Sequence, residues 1–118
     1  MELLRGSKEE FLMLLNKHLS NKKTERCKRR PYFEFSYDSR DYKVSVQASE
    51  YHYCTPREDN MEYYEEVELG FPDFLFSNAF ISNYAEDEAT PKDTVYPYVP
   101  LEELAKELEL LVLGDSND

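Results

Sequence analysis

Two short segments with strictly alternating side chains place the strongest constraint on the fold of this chain. They are YFEFSY, residues 32–37, and YKVSVQA, residues 42–48, and in both of them aromatic or apolar side chains alternate with polar ones. A period of two residues is that of a β strand with one buried face. Because the polar stretch DSRD between them is typical of a tight turn, the two segments predict an antiparallel hairpin.

A third strand and an edge segment are predicted further along the chain. In MEYYEEVEL, residues 61–69, the alternation places Tyr64 on the side opposite to Val67. TVYPYVP, residues 94–100, predicts a short extended segment, and Pro97 confines such a segment to the edge of a sheet because it cannot donate a ladder hydrogen bond.

Two helices are predicted from their capping residues. Ser7 and Glu10 have the spacing of a capping box, and apolar residues recur at helical spacing after them, so the first helix is expected over residues 8–19. A short helix is expected after Ser77, whose side chain suits a helix N-cap.

An amphipathic helix is predicted between Pro100, which suits a helix start, and Gly114, which suits a helix end. With 118 residues, the chain has the size of a single domain, residues 1–118. The predicted fold class is therefore α+β: an antiparallel sheet of three to four strands in a meander, packed on one face by the N- and C-terminal helices.

Charge is divided unevenly along the chain. Residues 1–57 contain 12 basic and 8 acidic side chains, a net of +4, whereas residues 58–118 contain 2 and 17, a net of −15. The two halves together have the formal net charge of −11. Such asymmetry favours an electrostatic partner. The alternative is that the acidic residues serve solubility alone.

No sequence motif indicates a reaction. The chain has neither a Gly-x-Ser-x-Gly nucleophile motif nor a glycine-rich phosphate loop. The spacing of Cys27, Cys54, His18 and His52 matches no usual zinc site. We therefore expect no metal, no other cofactor and no enzymatic activity.

No segment has the run of about 18 apolar residues that a membrane span needs. The first residues lack the apolar core of a signal peptide, and two cysteines are too few for a disulfide framework. We expect a cytoplasmic protein without a membrane partner.

Clustered carboxylates and tyrosines are the main candidates for a binding site. Carboxylates on a rigid strand repeat at a scale comparable to that of phosphates along a nucleic acid, so they suit the basic groove of a nucleic-acid-binding protein. Neighbouring tyrosines would add apolar contacts. The predicted partner-binding residues are Glu58, Asp59, Glu62, Tyr63, Tyr64, Glu65, Glu66, Glu68, Glu86, Asp87 and Glu88.

The stretches EDNMEYYEEVE, residues 58–68, and YAEDEA, residues 84–89, lie in a small acidic chain without a catalytic motif. In these respects the chain resembles the small acidic inhibitors that phages and mobile elements direct against host restriction or CRISPR nucleases. The resemblance implies an inhibitor that binds a basic nucleic-acid-binding protein or a nuclease complex in the host cell cytoplasm. An immunity protein or an antitoxin would share the same acidity, and the sequence does not separate these cases.

The basic run NKKTERCKRR, residues 21–30, departs from the pattern of a pure nucleic-acid mimic and supports a different function. Basic side chains next to aromatic ones can grip phosphates and stack on bases, which describes a small nucleic-acid-binding accessory protein. The residues that would do so are Lys22, Lys23, Arg26, Lys28, Arg29 and Arg30. Alternatively, the run offsets the chain's own acidic half, or that of a second copy in a homodimer.

Overall fold

The computed structural model describes residues 4–20, 32–49, 51–58 and 63–114. In chain order, these ranges contain α1 (Lys8–Ser20), β1 (Tyr32–Tyr37), β2 (Arg40–Gln47), β3 (Glu66–Gly70), α2 (Asn78–Tyr84), β4 (Val95–Pro100) and α3 (Leu101–Leu113). The strands form one antiparallel sheet in the order β1-β2-β3-β4, and α1 packs against α3. The predicted α+β meander with N- and C-terminal helices is confirmed.

The hairpin of β1 and β2 turns over only two residues, Asp38 and Ser39. Their φ angles are 52° and 65°, the left-handed conformation of a type I′ turn, whose twist matches that of the flanking strands. Arg40, which was expected in the turn, instead begins β2 and pairs with Tyr37. The predicted turn was therefore too long by two residues.

The sheet face covered by the helices carries aromatic and branched side chains. Phe35 of β1 joins this layer to a helix: its ring centroid is 5.1 Å from that of Phe11 in α1 and 5.0 Å from that of Tyr42 in β2. Full burial of one such side chain contributes about 1.5–3 kcal/mol relative to exposure. The buried core also includes Leu15, Phe33, Val44, Val46, Val67, Leu69, Tyr96, Val99, Leu101, Leu104 and Leu108.

The predicted capping box at the start of α1 forms with one change. The Ser7 hydroxyl accepts a hydrogen bond of 3.2 Å from the Glu10 amide, as expected. The Glu10 carboxylate, however, reaches further back and accepts from the amides of Arg5, at 2.7 Å, and Gly6, at 2.8 Å. Amides of the first helical turn lack partners within the helix, so the Ser7 hydroxyl satisfies one of them. The Glu10 carboxylate instead binds the two residues that precede the cap to the first turn.

The segment before β3 departs from the predicted alternation. The strand begins only at Glu66, and the preceding residues do not continue its pleat. Tyr64 is only 3% exposed, and its hydroxyl donates a hydrogen bond of 2.6 Å to the carbonyl of Glu58. Tyr63 and Glu65 are exposed. The prediction of a strand from residue 61 is thus wrong for residues 63–65, and residues 61 and 62 lie outside the described ranges.

β4 is an edge strand, as Pro97 predicts. Its pairing with β3 shifts by one residue, so that Pro97 and Tyr98 of β4 lie opposite the single residue Glu68 in a β-bulge. Tyr98 has a φ of 52°, which is uncommon for a residue other than glycine and marks local backbone strain. Bulges of this kind re-aim side chains at a sheet edge.

The two later helices begin where the sequence predicts. The Ser77 hydroxyl accepts a hydrogen bond of 3.3 Å from the amide of Phe80 and caps α2. α3 follows Pro100 directly and ends at Leu113, followed by the C-cap residue Gly114, whose φ is 72°. Among the residues that the structure describes, no helix combines the length and the apolar character that crossing a membrane would need.

Candidate partner-binding site

An open depression with a volume of about 310 Å³ lies at one end of the sheet. It combines a phenol ring, two proline rings and two carboxylates. The residues that line it are Pro56, Tyr63, Glu65, Pro100 and Glu102. Two of these, Tyr63 and Glu65, belong to the predicted partner-binding set.

Backbone hydrogen bonds centred on Glu65 hold the walls of the depression together. The Glu65 amide donates to the carbonyl of Thr55 at 2.8 Å, and the Glu65 carbonyl accepts from the amide of Leu101 at 2.9 Å. The amide of Glu66 donates to the same Thr55 carbonyl at 3.2 Å. Three separate chain segments therefore lie side by side as an extension of the sheet, and the backbone sets the positions of their side chains.

The charged and aromatic groups of the depression face solvent. Tyr63 is 49% exposed, and the carboxylates of Glu65 and Glu102 belong to exposed residues. The Lys8 ammonium lies 3.3 Å from Glu102 Oε1, and this side chain of Glu102 is 67% exposed. An exposed ion pair contributes only about 0–1 kcal/mol, so another cation can replace Lys8 there with little loss.

A second aromatic feature is formed by residues that lie close in sequence to Pro56 and Pro100 of the depression. The rings of Tyr53 and Tyr98 are 5.8 Å apart, and the Arg57 guanidinium lies 5.1 Å from the centroid of Tyr53. The amide of Tyr98 donates to the carbonyl of Tyr53 at 3.0 Å. Both tyrosines are more than one-third exposed, at 42% and 43%. The strained bulge thus holds an aromatic pair at the surface.

Two predicted partner-binding carboxylates make hydrogen bonds inside the protein. Glu66 Oε1 accepts from the hydroxyl of Thr55 at 2.6 Å, and Glu68 Oε2 accepts from the amide of Tyr53 at 3.3 Å. Both side chains are partly buried. They fasten the segment 51–57 to β3, so their first role in this fold is structural.

The remaining residues of the central acidic stretch are divided by the fold. Glu58 is exposed, whereas Tyr64 is buried and presents little surface to a partner. Asp59 and Glu62 lie outside the described residues. The same holds for the predicted nucleic-acid-binding residues Lys22, Lys23, Arg26, Lys28, Arg29 and Arg30.

In the second acidic cluster, Asp87 organises its own turn. Its Oδ1 accepts from the amide of Ala89 at 3.0 Å and its Oδ2 from the hydroxyl of Thr90 at 2.9 Å. Aspartates in turns commonly accept such local hydrogen bonds. Glu86 and Glu88 on either side are exposed. The cluster therefore offers two outward carboxylates rather than three.

The described part of the chain is most acidic from residue 63 onwards. Residues 63–114 contain twelve acidic and two basic side chains, a net of −10. One tyrosine pKa responds to this charge. Burial raises the pKa of Tyr84 above its usual value, and the negative charges of Glu103 and Glu66 raise it further.

Within the described ranges, no three or more His, Cys, Asp and Glu side chains come together as a metal site. His18 Nε2 lies 3.0 Å from the carbonyl of Val46, and His52 Nδ1 lies 2.6 Å from the hydroxyl of Ser49. The buried thiol of Cys54 donates to the carbonyl of Ser49 at 3.2 Å. Each of these three groups therefore has a partner within the protein.

Three residues of the depression were missed by sequence reasoning, namely Pro56, Pro100 and Glu102. Pro100 and Glu102 span the predicted start of α3. A junction of a strand with a helix brings side chains to the end of a sheet, so the sequence contained a signal for these two residues. Pro56 offered no comparable signal, because its place depends on the pairing of Thr55 with Glu66.

Fold and site together define a small α+β protein whose helix-covered sheet carries an acidic, tyrosine-containing depression at one end. Comparisons of the chain with protein-family models, with curated proteins and with solved structures found no match.

Proposed function

We propose that this protein is an acidic protein-binding module that inhibits a nucleic-acid-acting enzyme by occupying its basic nucleic-acid-binding surface. As in the phage inhibitors that it resembles, the site of action would be the host cell cytoplasm. The observation that carries the proposal is the surplus of exposed carboxylates in residues 63–114, two of which, those of Glu65 and Glu102, line a depression together with the exposed ring of Tyr63.

The unneutralised part of this charge supports a basic partner. Glu65, Glu86, Glu88 and Glu103 are exposed, and their carboxylates make no hydrogen bond or ion pair with the described residues. Repulsion among such like charges opposes folding. A cationic surface would neutralise them on binding, and complementary charge would also speed and orient the encounter.

Competition with nucleic acid follows from the chemistry of a cationic groove. Lysine and arginine side chains that hold phosphates also hold carboxylates, and both kinds of association weaken as salt rises. Exposed tyrosines such as Tyr63 and Tyr53 add apolar contact, which charged groups alone do not supply.

Capture followed by competition tests the proposal. Immobilised protein is incubated with nuclease-treated lysate of the source cell, and retained protein is challenged with duplex DNA or RNA at constant ionic strength. We expect a basic nucleic-acid-binding protein to be retained and then displaced by the nucleic acid. Retention without displacement would contradict the proposal, as would recovery of this chain alone, which would indicate self-association.

A charge-matched pair of variants sharpens this test. Glu65→Gln, Glu86→Gln and Glu103→Gln together remove three exposed carboxylates from the acidic region. Glu9→Gln, Glu34→Gln and Asp38→Asn together make the same change in net charge among exposed residues before residue 58. We expect the first triple variant to lose most of the captured protein and the second to keep it. Equal losses would show that only total charge matters.

Direct binding of labelled DNA or RNA by the purified protein would favour the alternative, a small nucleic-acid-binding accessory protein. That binding should then disappear when the six basic residues between Lys22 and Arg30 are changed to Glu.

A further inference from the structure

We infer that the depression lined by Pro56, Tyr63, Glu65, Pro100 and Glu102 binds a single arginine side chain of the basic partner. This inference rests on the proposed function, because the partner supplies the arginine. It goes beyond general charge attraction, because it assigns one kind of side chain to one pocket.

The lining groups match the parts of an arginine side chain. Carboxylates such as Glu65 and Glu102 accept charge-assisted hydrogen bonds from a guanidinium, and the planar group stacks on an aromatic ring such as that of Tyr63. The rings of Pro56 and Pro100 offer apolar surface to the methylene stem. A lysine ammonium would pair with the carboxylates, but it has no planar group to stack on the ring of Tyr63, so arginine fits this set of groups better.

The volume is large enough for one side chain and small for a cofactor-sized ligand. Sites for drug-sized molecules and cofactors span about 300–1,000 Å³, and the depression, with about 310 Å³, lies at the lower limit. It is also open to solvent on one side, as a site for a side chain that projects from a protein surface must be.

The depression is prepared for binding by its own backbone. The hydrogen bonds from Glu65 to Thr55 and from Leu101 to Glu65 hold three of its walls in place before a ligand arrives. A rigid site loses less conformational freedom on binding. The protein already contains a similar contact nearby, since the Arg57 guanidinium lies 5.1 Å from the ring of Tyr53.

Titration with short capped peptides tests the inference on the complete protein. The probes are Gly-Arg-Gly, Gly-Lys-Gly and Gly-citrulline-Gly, the last being the neutral counterpart of the arginine peptide. Amide chemical shifts of ¹⁵N-labelled protein report where each peptide binds. We expect saturable shifts at Tyr63, Glu65 and Glu102 with the arginine peptide, with a dissociation constant on the order of millimolar because one exposed contact is weak.

The other probes and two variants provide the comparison. Citrulline should cause no saturable shift, and lysine should bind at least about threefold more weakly than arginine. Glu65→Gln should weaken arginine binding about fivefold or more. Glu88→Gln makes an equal change in charge in the exposed loop between α2 and β4, and it should leave arginine binding within about twofold. Tyr63→Leu should weaken it while keeping the spectrum of the folded protein, because Tyr63 is half exposed.

Three results would overturn the inference: no saturable shift, equal binding of arginine and citrulline, or equal effects of Glu65→Gln and Glu88→Gln. Failure of the proposed function would look different. If Gly-Arg-Gly binds in the depression but the protein never displaces nucleic acid from a captured partner, the arginine site stands and the inhibitor proposal falls. If displacement occurs but Glu65→Gln and Tyr63→Leu leave it unchanged, the inhibitor proposal stands and the arginine site falls.

Discussion

The backbone carbonyl of Glu65 accepts a hydrogen bond of 2.9 Å from the amide of Leu101, the first residue of α3. This bond joins the segment before β3 to the junction of β4 and α3. As a result, Glu65 and Glu102 line the same depression although they are distant in the sequence. The candidate site therefore exists only in the folded chain, where its carboxylates are held by the end of the sheet.

The support of the depression can be tested at Thr55, which does not line it. The Thr55 hydroxyl donates to Glu66 Oε1 at 2.6 Å, and the Thr55 carbonyl accepts from the amides of Glu65 and Glu66. We predict that Thr55→Val loosens this pairing, because the partly buried carboxylate of Glu66 loses a donor. Amide hydrogen exchange at Glu65 and Glu66 should then become several-fold faster.

Thr90→Val is the matched control for that substitution, because the Thr90 hydroxyl also donates to a carboxylate, Oδ2 of Asp87, at 2.9 Å. It should leave exchange at Glu65 and Glu66 unchanged. Unaltered exchange in Thr55→Val would show that the threonine hydroxyl does not support the depression.

The start of α1 gives a prediction about stability. Glu10→Ala removes the acceptor for the amides of Arg5 and Gly6, so the free energy of unfolding should fall by about 1–2 kcal/mol. Glu9→Ala, an exposed change in the same turn, should alter it by no more than about 0.5 kcal/mol. Urea denaturation followed by circular dichroism measures both. Similar losses for the two variants would contradict the assigned cap.

The hairpin turn leads to a stabilising prediction. Asp38 and Ser39 both have positive φ, which Asn and Gly adopt with less strain in a type I′ turn. We expect the double variant Asp38→Asn, Ser39→Gly to raise the free energy of unfolding by about 1 kcal/mol. Ser36→Gly, within β1, should instead lower it by about 1 kcal/mol, since glycine weakens a strand and the hydrogen bond from the Ser36 hydroxyl to Asp41 Oδ1 is lost. A loss of stability in the double variant would be inconsistent with this turn.

These features show how much of the fold was predictable. The hairpin, the caps at Ser7 and Ser77 and the limits of α3 at Pro100 and Gly114 were predicted, because alternation and capping act over a few neighbouring residues. The burial of Tyr64 ahead of β3 was not predicted, because local alternation does not reveal at which residue a strand begins.

The candidate site was predictable only in part, for the same physical reason. Clustering of like charges in the sequence indicated the acidic region, and Tyr63 and Glu65 lie in the depression as well. Clustering did not reveal that Glu66 and Glu68 hydrogen-bond inside the protein, or that Glu102 joins Glu65. Those facts depend on pairing between distant segments, which a single sequence does not display.

Tyr96 predicts how stability changes at alkaline pH. Its side chain is fully buried, its hydroxyl donates to the carbonyl of Pro91 at 2.7 Å, and burial raises its pKa to about 12. Because this pKa is higher in the folded state than the usual value of about 10, the unfolded chain loses the proton first. The contribution of the raised Tyr96 pKa to the free energy of unfolding is complete below pH ~10. It falls by about 1.4 kcal/mol per pH unit as the pH rises towards ~12.

Tyr96→Phe removes this titration. The variant should be less stable at neutral pH by about 1 kcal/mol, because the hydrogen bond is lost. Its stability should fall less steeply between pH ~10 and ~12 than that of the wild type. Parallel alkaline profiles of the two proteins, obtained by urea denaturation, would show that Tyr96 does not titrate as its burial requires.

The central claim is that acidic residues of this protein and nucleic acid compete for one basic surface. The most direct measurement is the fluorescence anisotropy of a labelled oligonucleotide bound to the captured partner, during titration with this protein at two salt concentrations. We predict release of the oligonucleotide. The Glu65→Gln, Glu86→Gln, Glu103→Gln variant should need about tenfold more protein for it, while the Glu9→Gln, Glu34→Gln, Asp38→Asn variant should match the wild type. Anisotropy that stays constant or rises, while the two proteins remain bound, would show that the nucleic-acid surface is still occupied and would contradict the claim.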